Sequence, residues 1–209
     1  GGILHPAACL GQLEQAAMIR LCLLFLALAL PLRAEVLPAW YDVTGVAAGD
    51  VLNIRAAPDA GAEVIGTLAP DATGVEILSA AGGWGLVNAG DRSGYVAMRF
   101  LKREGGPDWN ALETPLTCLG TEPFWSLKID PAQSETRFQT PEDEVARVAA
   151  ITGSWPALPW SQTAAVALPD GLAVLSPAEC SDGYGIAADL FLTGPDRARL
   201  SGCCRLGQR

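Results

Sequence analysis

The sequence predicts an all-β protein made of two small domains, and two groups of short apolar runs carry that prediction. The first group lies between residues 42 and 101, where runs of four to six residues are separated by turns rich in Gly and Pro. It shows no helical period, which favours short strands. The second group follows residue 118 and shares its stretch of chain with four cysteines.

The first 34 residues are expected to lie outside the folded part of the protein. The first methionine is Met18, so residues 1–17 are interpreted as a non-native leader. Arg20 then precedes an apolar run at residues 21–32, and Ala34 follows as a small residue suited to cleavage. This run is shorter than the roughly 20 residues that span a bilayer core. Residues 18–34 are therefore predicted to be a cleaved signal peptide, with an uncleaved anchor or a buried helix as the alternatives.

Composition limits the possible functions. The chain carries a formal net charge of −9, which disfavours binding to the phosphates of nucleic acids. Its single histidine is His5, in the leader, so catalytic sites and zinc sites that need an imidazole are not expected in the rest of the chain. We therefore expect a protein that is not an enzyme, with no cofactor, no metal, and no transmembrane segment after signal cleavage.

The cysteines that follow the signal peptide indicate disulfide bonds. They are Cys118, Cys180, Cys203 and Cys204. An even number in an exported chain predicts two bridges, for which three pairings are possible. A bridge between the adjacent Cys203 and Cys204 would strain the peptide bond between them, so each is expected to pair with a distant cysteine. A four-thiolate metal site is disfavoured because no Cys-x-x-Cys spacing occurs.

Residues 42–101 are predicted to form a small barrel, and six motifs within them resemble the bacterial SH3 domain. In chain order they are Leu52–Pro58 (LNIRAAP), Val64–Leu68 (VIGTL), Val75–Leu78 (VEIL), Trp84-x-x-Val87, Gly94-Tyr95-Val96 and Phe100-Leu101. Two positions depart from the family pattern, because Ala56 replaces a small polar residue and Tyr95 replaces a tryptophan. The resemblance implies an SH3-like barrel. It also implies either binding of peptidoglycan or a peptide, or a purely architectural role.

Aromatic side chains near a groove would be the physical basis of such binding, since rigid rings bind extended chains at a low entropic cost. The predicted ligand-binding residues of this domain are Trp40, Tyr41, Arg55, Trp84 and Tyr95. The alternative is that Trp84 and Tyr95 fill the small core, and that Arg55 is a structural ion-pair partner.

Residues 102–117 are predicted to be a linker, and residues 118–209 a disulfide-stapled antiparallel β-sheet or barrel. Its predicted strands include residues 124–129, with Trp125, Leu127 and Ile129 on one face, while residues 142–151 fit either a short helix or a strand. Three motifs resemble an uncharacterised family of proteobacterial envelope proteins. They are C-x-G-x-EPFW at residues 118–125, CSDGY at 180–184 and GCCR at 202–205. That resemblance implies a location in the cell envelope.

Three charged residues beside these motifs are candidates for a site in the second domain. Glu122 and Asp182 would supply paired carboxylates for acid–base chemistry, and Arg205 a charged partner for a polar ligand. The alternative is that the two acidic residues belong to turns and the cysteines are staples.

The function predicted from the sequence is therefore that of an exported, periplasmic, non-catalytic envelope protein whose SH3-type module binds peptidoglycan or a peptide. One alternative is a periplasmic inhibitor or stress-response protein that acts through the second domain. The other is a carboxylate-based hydrolase.

Overall fold

A computed structural model describes residues 35–90, 92–158, 160–180, 183–194 and 197–207, and it confirms the all-β prediction. Its strands form two antiparallel sheets, and two one-turn 3-10 helices are the helical elements among these residues. None of the helices described here has the length and apolar character needed to cross a membrane. The predicted leader and signal peptide lie outside the described residues.

The first sheet has seven strands in the order β3-β2-β6-β5-β4-β1-β7. They are β1 (Ala39–Val43), β2 (Leu52–Arg55), β3 (Val64–Leu68), β4 (Val75–Ala81), β5 (Trp84–Asn88), β6 (Ser93–Ala97) and β7 (Leu101–Arg103). Alternate residues of β1 and β2 are buried, as expected for strands with one face on a core. Strand β1 starts before the predicted domain start at residue 42, and it joins β4 to β7.

The second sheet has nine strands in the order β11-β10-β9-β8-β16-β15-β14-β13-β12. They are β8 (Leu116–Thr121), β9 (Phe124–Asp130), β10 (Glu135–Gln139), β11 (Arg147–Ala150), β12 (Gly153–Trp155), β13 (Ala164–Leu168), β14 (Gly171–Pro177), β15 (Ile186–Leu192) and β16 (Ala198–Leu206). Residues 142–151, for which the sequence left helix or strand open, contain β11. Trp125, Leu127 and Ile129 do share the buried face of β9.

This second sheet closes on itself because its two edge strands follow each other in the chain. Only Ile151 and Thr152 separate β11 from β12. The Ile151 N–H donates to the Ser134 carbonyl at 2.8 Å, on the β10 side, and the Thr152 N–H donates to the Ala167 carbonyl at 3.0 Å, on the β13 side. One extended segment therefore pairs first with β10 and then with β13. The nine strands occupy eight positions around an up-and-down barrel, which leaves neither edge of the sheet open.

The segment predicted to be a linker closes one end of this barrel. It contains a 3-10 turn at Trp109–Ala111, and Trp109 is only 1% exposed among the residues of the barrel core. The Trp109 indole N–H donates to the Leu37 carbonyl at 3.0 Å, and Trp40 packs against the same core. Because β1 belongs to the first sheet, these contacts join the first sheet to the barrel. Residues 36–209 accordingly form one compact unit.

Two polar contacts add to this junction. The Asn88 side-chain amide donates to the Gly183 carbonyl at 2.8 Å, and the Leu206 N–H donates to the Glu76 carboxylate at 2.8 Å. Gly183 has a φ of 72°, and a Cβ at that position would overlap the Asn88 side chain. The position is therefore suited to glycine for both reasons.

The cysteines form two disulfides in the second domain, as predicted. Cys118 bonds to Cys204 across directly paired positions of β8 and β16, and Cys180, in the segment before β15, bonds to Cys203. The sequence separations are 86 and 23 residues. The adjacent Cys203 and Cys204 thus pair with distant partners.

We predict that the two bridges contribute unequally to stability. The chain-entropy model gives about 3 kcal/mol for the Cys180–Cys203 loop and about 5 kcal/mol for the longer Cys118–Cys204 loop. The double variant Cys180→Ala/Cys203→Ala should lower the free energy of unfolding by the smaller amount. The double variant Cys118→Ala/Cys204→Ala should lower it by the larger amount. Urea unfolding without reductant measures both losses, and an unchanged midpoint for either variant would contradict the prediction.

Glu76 makes stability depend on pH near neutrality. Burial raises its pKa from 4.5 to about 7, although the Leu206 hydrogen bond and the Arg205 charge act in the opposite direction. Between these pH values the folded state binds a proton that the unfolded state has released. Stability therefore falls as pH rises from about 4.5 to 7, by roughly 1 to 3 kcal/mol.

The variant Glu76→Gln should remove this slope, because an amide does not titrate and keeps an oxygen for the Leu206 N–H. Urea midpoints at half-unit intervals from pH 4.5 to 7.5 would show it. Glu113→Gln, at an exposed carboxylate, is the matched control and should follow the parent protein. A parent protein whose stability rises steadily over this range would refute the assignment to Glu76.

Candidate functional site

A cleft of about 400 Å³ opens on the first domain beside β2. Its walls come from the loop that follows β1, from β2, from Trp84 at the start of β5, and from the chain just after β6. The lining residues are Gly45, Val46, Ala47, Asp50, Val51, Leu52, Asn53, Arg55, Ala60, Trp84, Ala97, Arg99 and Phe100.

The side chains of this cleft combine aromatic surface with positive charge. Trp84 is half-buried, so part of its ring remains accessible. The Arg99 guanidinium lies 4.5 Å from the centroid of the Phe100 ring, a cation–π distance. Arg55 donates from Nη1 to the Ala62 carbonyl at 2.7 Å, which fixes its side chain at the cleft.

One carboxylate accompanies these two arginines. Asp50 accepts a hydrogen bond from the adjacent Val51 N–H at 2.8 Å, and this contact holds it at the end of the loop after β1. The cleft therefore offers two guanidinium groups, one carboxylate and ring surface along a single trough. Such a set is suited to an extended chain that carries carboxylate groups, since guanidinium binds carboxylate through charge-assisted hydrogen bonds.

The structure separates the predicted residues of this domain into three groups. Arg55 and Trp84 line the cleft. Tyr95 pairs in register with Arg55 but is not among the lining residues. Tyr41 is only 2% exposed and belongs to the domain core, while Trp40 packs towards the barrel. Both lie on β1, where alternation directs neighbouring side chains to opposite faces of the sheet, and neither face lines the cleft.

Several cleft residues were not predicted from the sequence. Asp50 and Val51 lie just before the first SH3-type motif, and Arg99 lies between two of them. Asn53 and Phe100 lie inside motifs, but the sequence does not reveal that they face a common trough. The loop after β1 contains no aromatic residue, so the usual signal for a ligand groove was absent there.

The second predicted cluster does not come together in the described residues. Glu122 is exposed in the turn between β8 and β9. Arg205 pairs in register with Thr117, near the other end of β8, and its guanidinium lies 5.8 Å from the Tyr184 ring centroid. Arg205 thus belongs to the junction with Glu76 and not to the turn that holds Glu122. Asp182 lies outside the described residues.

Comparison with known proteins supports the identity of the first domain. Residues 50–102 match the family model of the bacterial SH3 domain, a stretch that runs from the loop after β1 into β7. No curated protein and no solved structure matches the chain. The resemblance of the second domain to an envelope-protein family gains nothing from this match and stays a prediction. Residues 50–102, which supply most of the cleft lining, are a bacterial SH3 domain.

Proposed function

We propose that the protein is an exported binding protein whose SH3 domain holds a carboxylate-bearing peptide, such as the stem peptides of peptidoglycan, in the cleft beside β2. The observation that carries the proposal is the placement of Trp84, Arg55 and Arg99 around one trough within the family-matched residues. Peptidoglycan stem peptides are extended and carry free carboxylates, which the two arginines complement.

The charge of the chain makes this trough distinctive. The protein as a whole is acidic, with a net charge of −9. A trough with two arginines and one aspartate is therefore a local positive region on a negative protein. Complementary charge of this kind favours encounter with an acidic ligand and discriminates against a basic one.

Export fits the covalent structure of the second domain. Both of its disulfides join strands or loops that are distant in the chain, and such bonds persist in oxidising compartments outside the cytoplasm. The proposed location is the periplasm, in agreement with the signal peptide expected at residues 18–34.

No catalytic step is proposed at this cleft. The ionisable side chains that line the cleft are Asp50, Arg55 and Arg99. Arginine stays protonated at physiological pH, so it suits anion binding better than proton transfer. The cleft is accordingly proposed to hold a chain and not to cleave one.

Co-sedimentation of residues 35–209 with purified sacculi tests this function. The parent protein should pellet, and the charge reversal Arg99→Glu should raise the apparent Kd at least about thirtyfold, which corresponds to the roughly 2 kcal/mol of an interface hot spot. Arg92→Glu is the matched control, because Arg92 is an exposed arginine of the same domain outside the cleft lining. A soluble stem peptide should compete with the sacculi.

A second pair of variants tests the aromatic wall. Trp84→Ala should weaken pelleting, whereas Trp155→Ala should not, since Trp155 is an exposed tryptophan of the other domain. Circular dichroism of each variant verifies folding. If the parent protein stays in the supernatant while a known wall binder pellets, the proposed function fails. If Arg99→Glu and Arg92→Glu bind equally, the assignment to the cleft fails.

A further inference from the structure

One side of the second domain is formed by a long stretch of chain without charged residues. None of the residues from 148 to 169 is charged, although 18% of the whole chain is. This stretch supplies β12, β13 and the connection between them. Three of its large side chains are exposed, namely Trp155 (56%), Leu158 (55%) and Trp160 (80%). Exposed aromatic and aliphatic side chains in a region depleted of charge are typical of a surface that contacts another molecule.

The strand register extends this apolar surface along the outer wall of the barrel. Ala164 and Val166 are buried in the barrel core, so the intervening Ala165 of β13 faces outward. Trp155 pairs with Ala165, and Ala165 pairs with Val174 of β14. Directly paired residues lie on the same face of a sheet, so these three side chains belong to the outer wall. We call the surface formed by Trp155, Leu158, Trp160, Ala165 and Val174 the neutral face.

The two tryptophans of the neutral face are presented in different ways. Gly153 lies two residues before Trp155 on the same face of β12, and a Cβ there would lie 3.1 Å from the Trp155 ring. This ring therefore rests on the backbone of its own strand, with more than half of its surface open to solvent. Trp160 belongs to the connection that follows β12, and its side chain is more exposed still. One ring is thus held against the wall, while the other extends into solvent.

The described chain begins beside the neutral face. The Ala157 N–H, in the connection after β12, donates to the Asn110 carbonyl at 2.9 Å. The adjacent Trp109 donates its indole N–H to the Leu37 carbonyl at 3.0 Å. A single 3-10 turn therefore contacts both this connection and the start of the described chain. The apolar run at residues 21–32 comes shortly before that start, and a signal peptide is held in the membrane during export, so this side of the protein is delivered close to a bilayer.

We propose that the neutral face binds the surface of a zwitterionic phospholipid bilayer. Trp155 and Trp160 would lie in the headgroup region, which suits a ring that is apolar but carries an N–H, and Leu158 would reach the acyl chains. Zwitterionic lipids have no net charge, which matches a face without charges on a chain of net charge −9. An anionic membrane or a second copy of the chain would bring like charges together instead. Purified sacculi contain no bilayer, so this contact is independent of the SH3 cleft and of its co-sedimentation test.

Flotation of residues 35–209 with phosphatidylcholine vesicles, with both disulfides intact, tests the proposal. The protein should float with the vesicles, and added salt should leave this binding unchanged because apolar contact provides it. Adding phosphatidylglycerol to the vesicles should weaken binding at low ionic strength, since the acidic protein is repelled, and salt should restore it. Protein that does not float with phosphatidylcholine, or that floats only when phosphatidylglycerol is present, would overturn the proposal.

Two double variants locate the contact. Trp155→Ser/Trp160→Ser should lower the partition coefficient for phosphatidylcholine at least about tenfold, an effect no larger than that of burying one large apolar side chain. Phe124→Ser/Val145→Ser is the matched control, because it removes two apolar residues that are 64% and 78% exposed outside the neutral face. This control should bind as the parent does. Equal binding by the two double variants would show that another surface contacts the lipid, and the proposal would be wrong.

A single variant and a second measurement complete the test. Trp160→Asp places a charge on the neutral face at a side chain that makes little contact with the fold, and it should also lower the partition coefficient. Sedimentation equilibrium without lipid distinguishes membrane binding from self-association. If the parent protein forms a dimer that the Trp155→Ser/Trp160→Ser variant does not form, and neither protein floats, the neutral face binds a second copy and the proposal fails.

Discussion

The change of pairing partner at Ile151 and Thr152 is the constraint on which the second domain depends. The chain leaves β10 and engages β13 within two residues, and this step brings the two sheet edges to the same position. A closed ring has an inside, so alternate residues of every strand face a common interior. The Cys118–Cys204 disulfide covalently links β8 to β16, which are the first and the last strands of the barrel in chain order. An open sheet of the same strands would have two exposed faces and no enclosed interior.

The two ends of that ring have different surroundings. At one end Trp109 is buried, its indole bonds to Leu37, and Trp40 of the first sheet packs on the same core. The SH3 domain therefore covers that end, with Glu76 at the contact with Leu206. The other end is bordered by the exposed carboxylates of Glu142 and Asp170. The chain thus presents a trough with two arginines on one domain and a barrel end edged by carboxylates on the other.

Much of this architecture follows from local sequence patterns. Each SH3-type motif contributes residues to one of the strands β2 to β7, because alternation and turn residues are local properties. The alternation at Trp125, Leu127 and Ile129 likewise predicted the buried face of β9 correctly. The pairing of the adjacent cysteines with distant ones followed from backbone geometry. By contrast, the strand at Arg147–Ala150 depends on pairing with β10, which competes with the helix-like acidic start of its segment.

The sites were harder to predict than the fold because they are built from residues distant in the chain. Arg55 and Trp84 were identified from their chemistry, yet Tyr41 carries the same chemistry and is buried in the core. Glu122 and Arg205 are both near cysteines in the sequence, but β8 carries their positions to different ends of the barrel. The sequence did not indicate that Glu76 is buried, since an acidic residue in an alternating strand normally faces water. Its burial is a consequence of the contact with the second domain.

The position of β16 also bears on how the protein is made. This strand supplies Cys203 and Cys204 and completes the ring between β8 and β15. While a growing chain emerges in the order of its sequence, Cys118 and Cys180 are present before either native partner, and the only bridge they can form together is a non-native one. Neither native bridge can therefore form before β16 has emerged, and the ring of strands becomes complete only when this last strand pairs with β8 and β15.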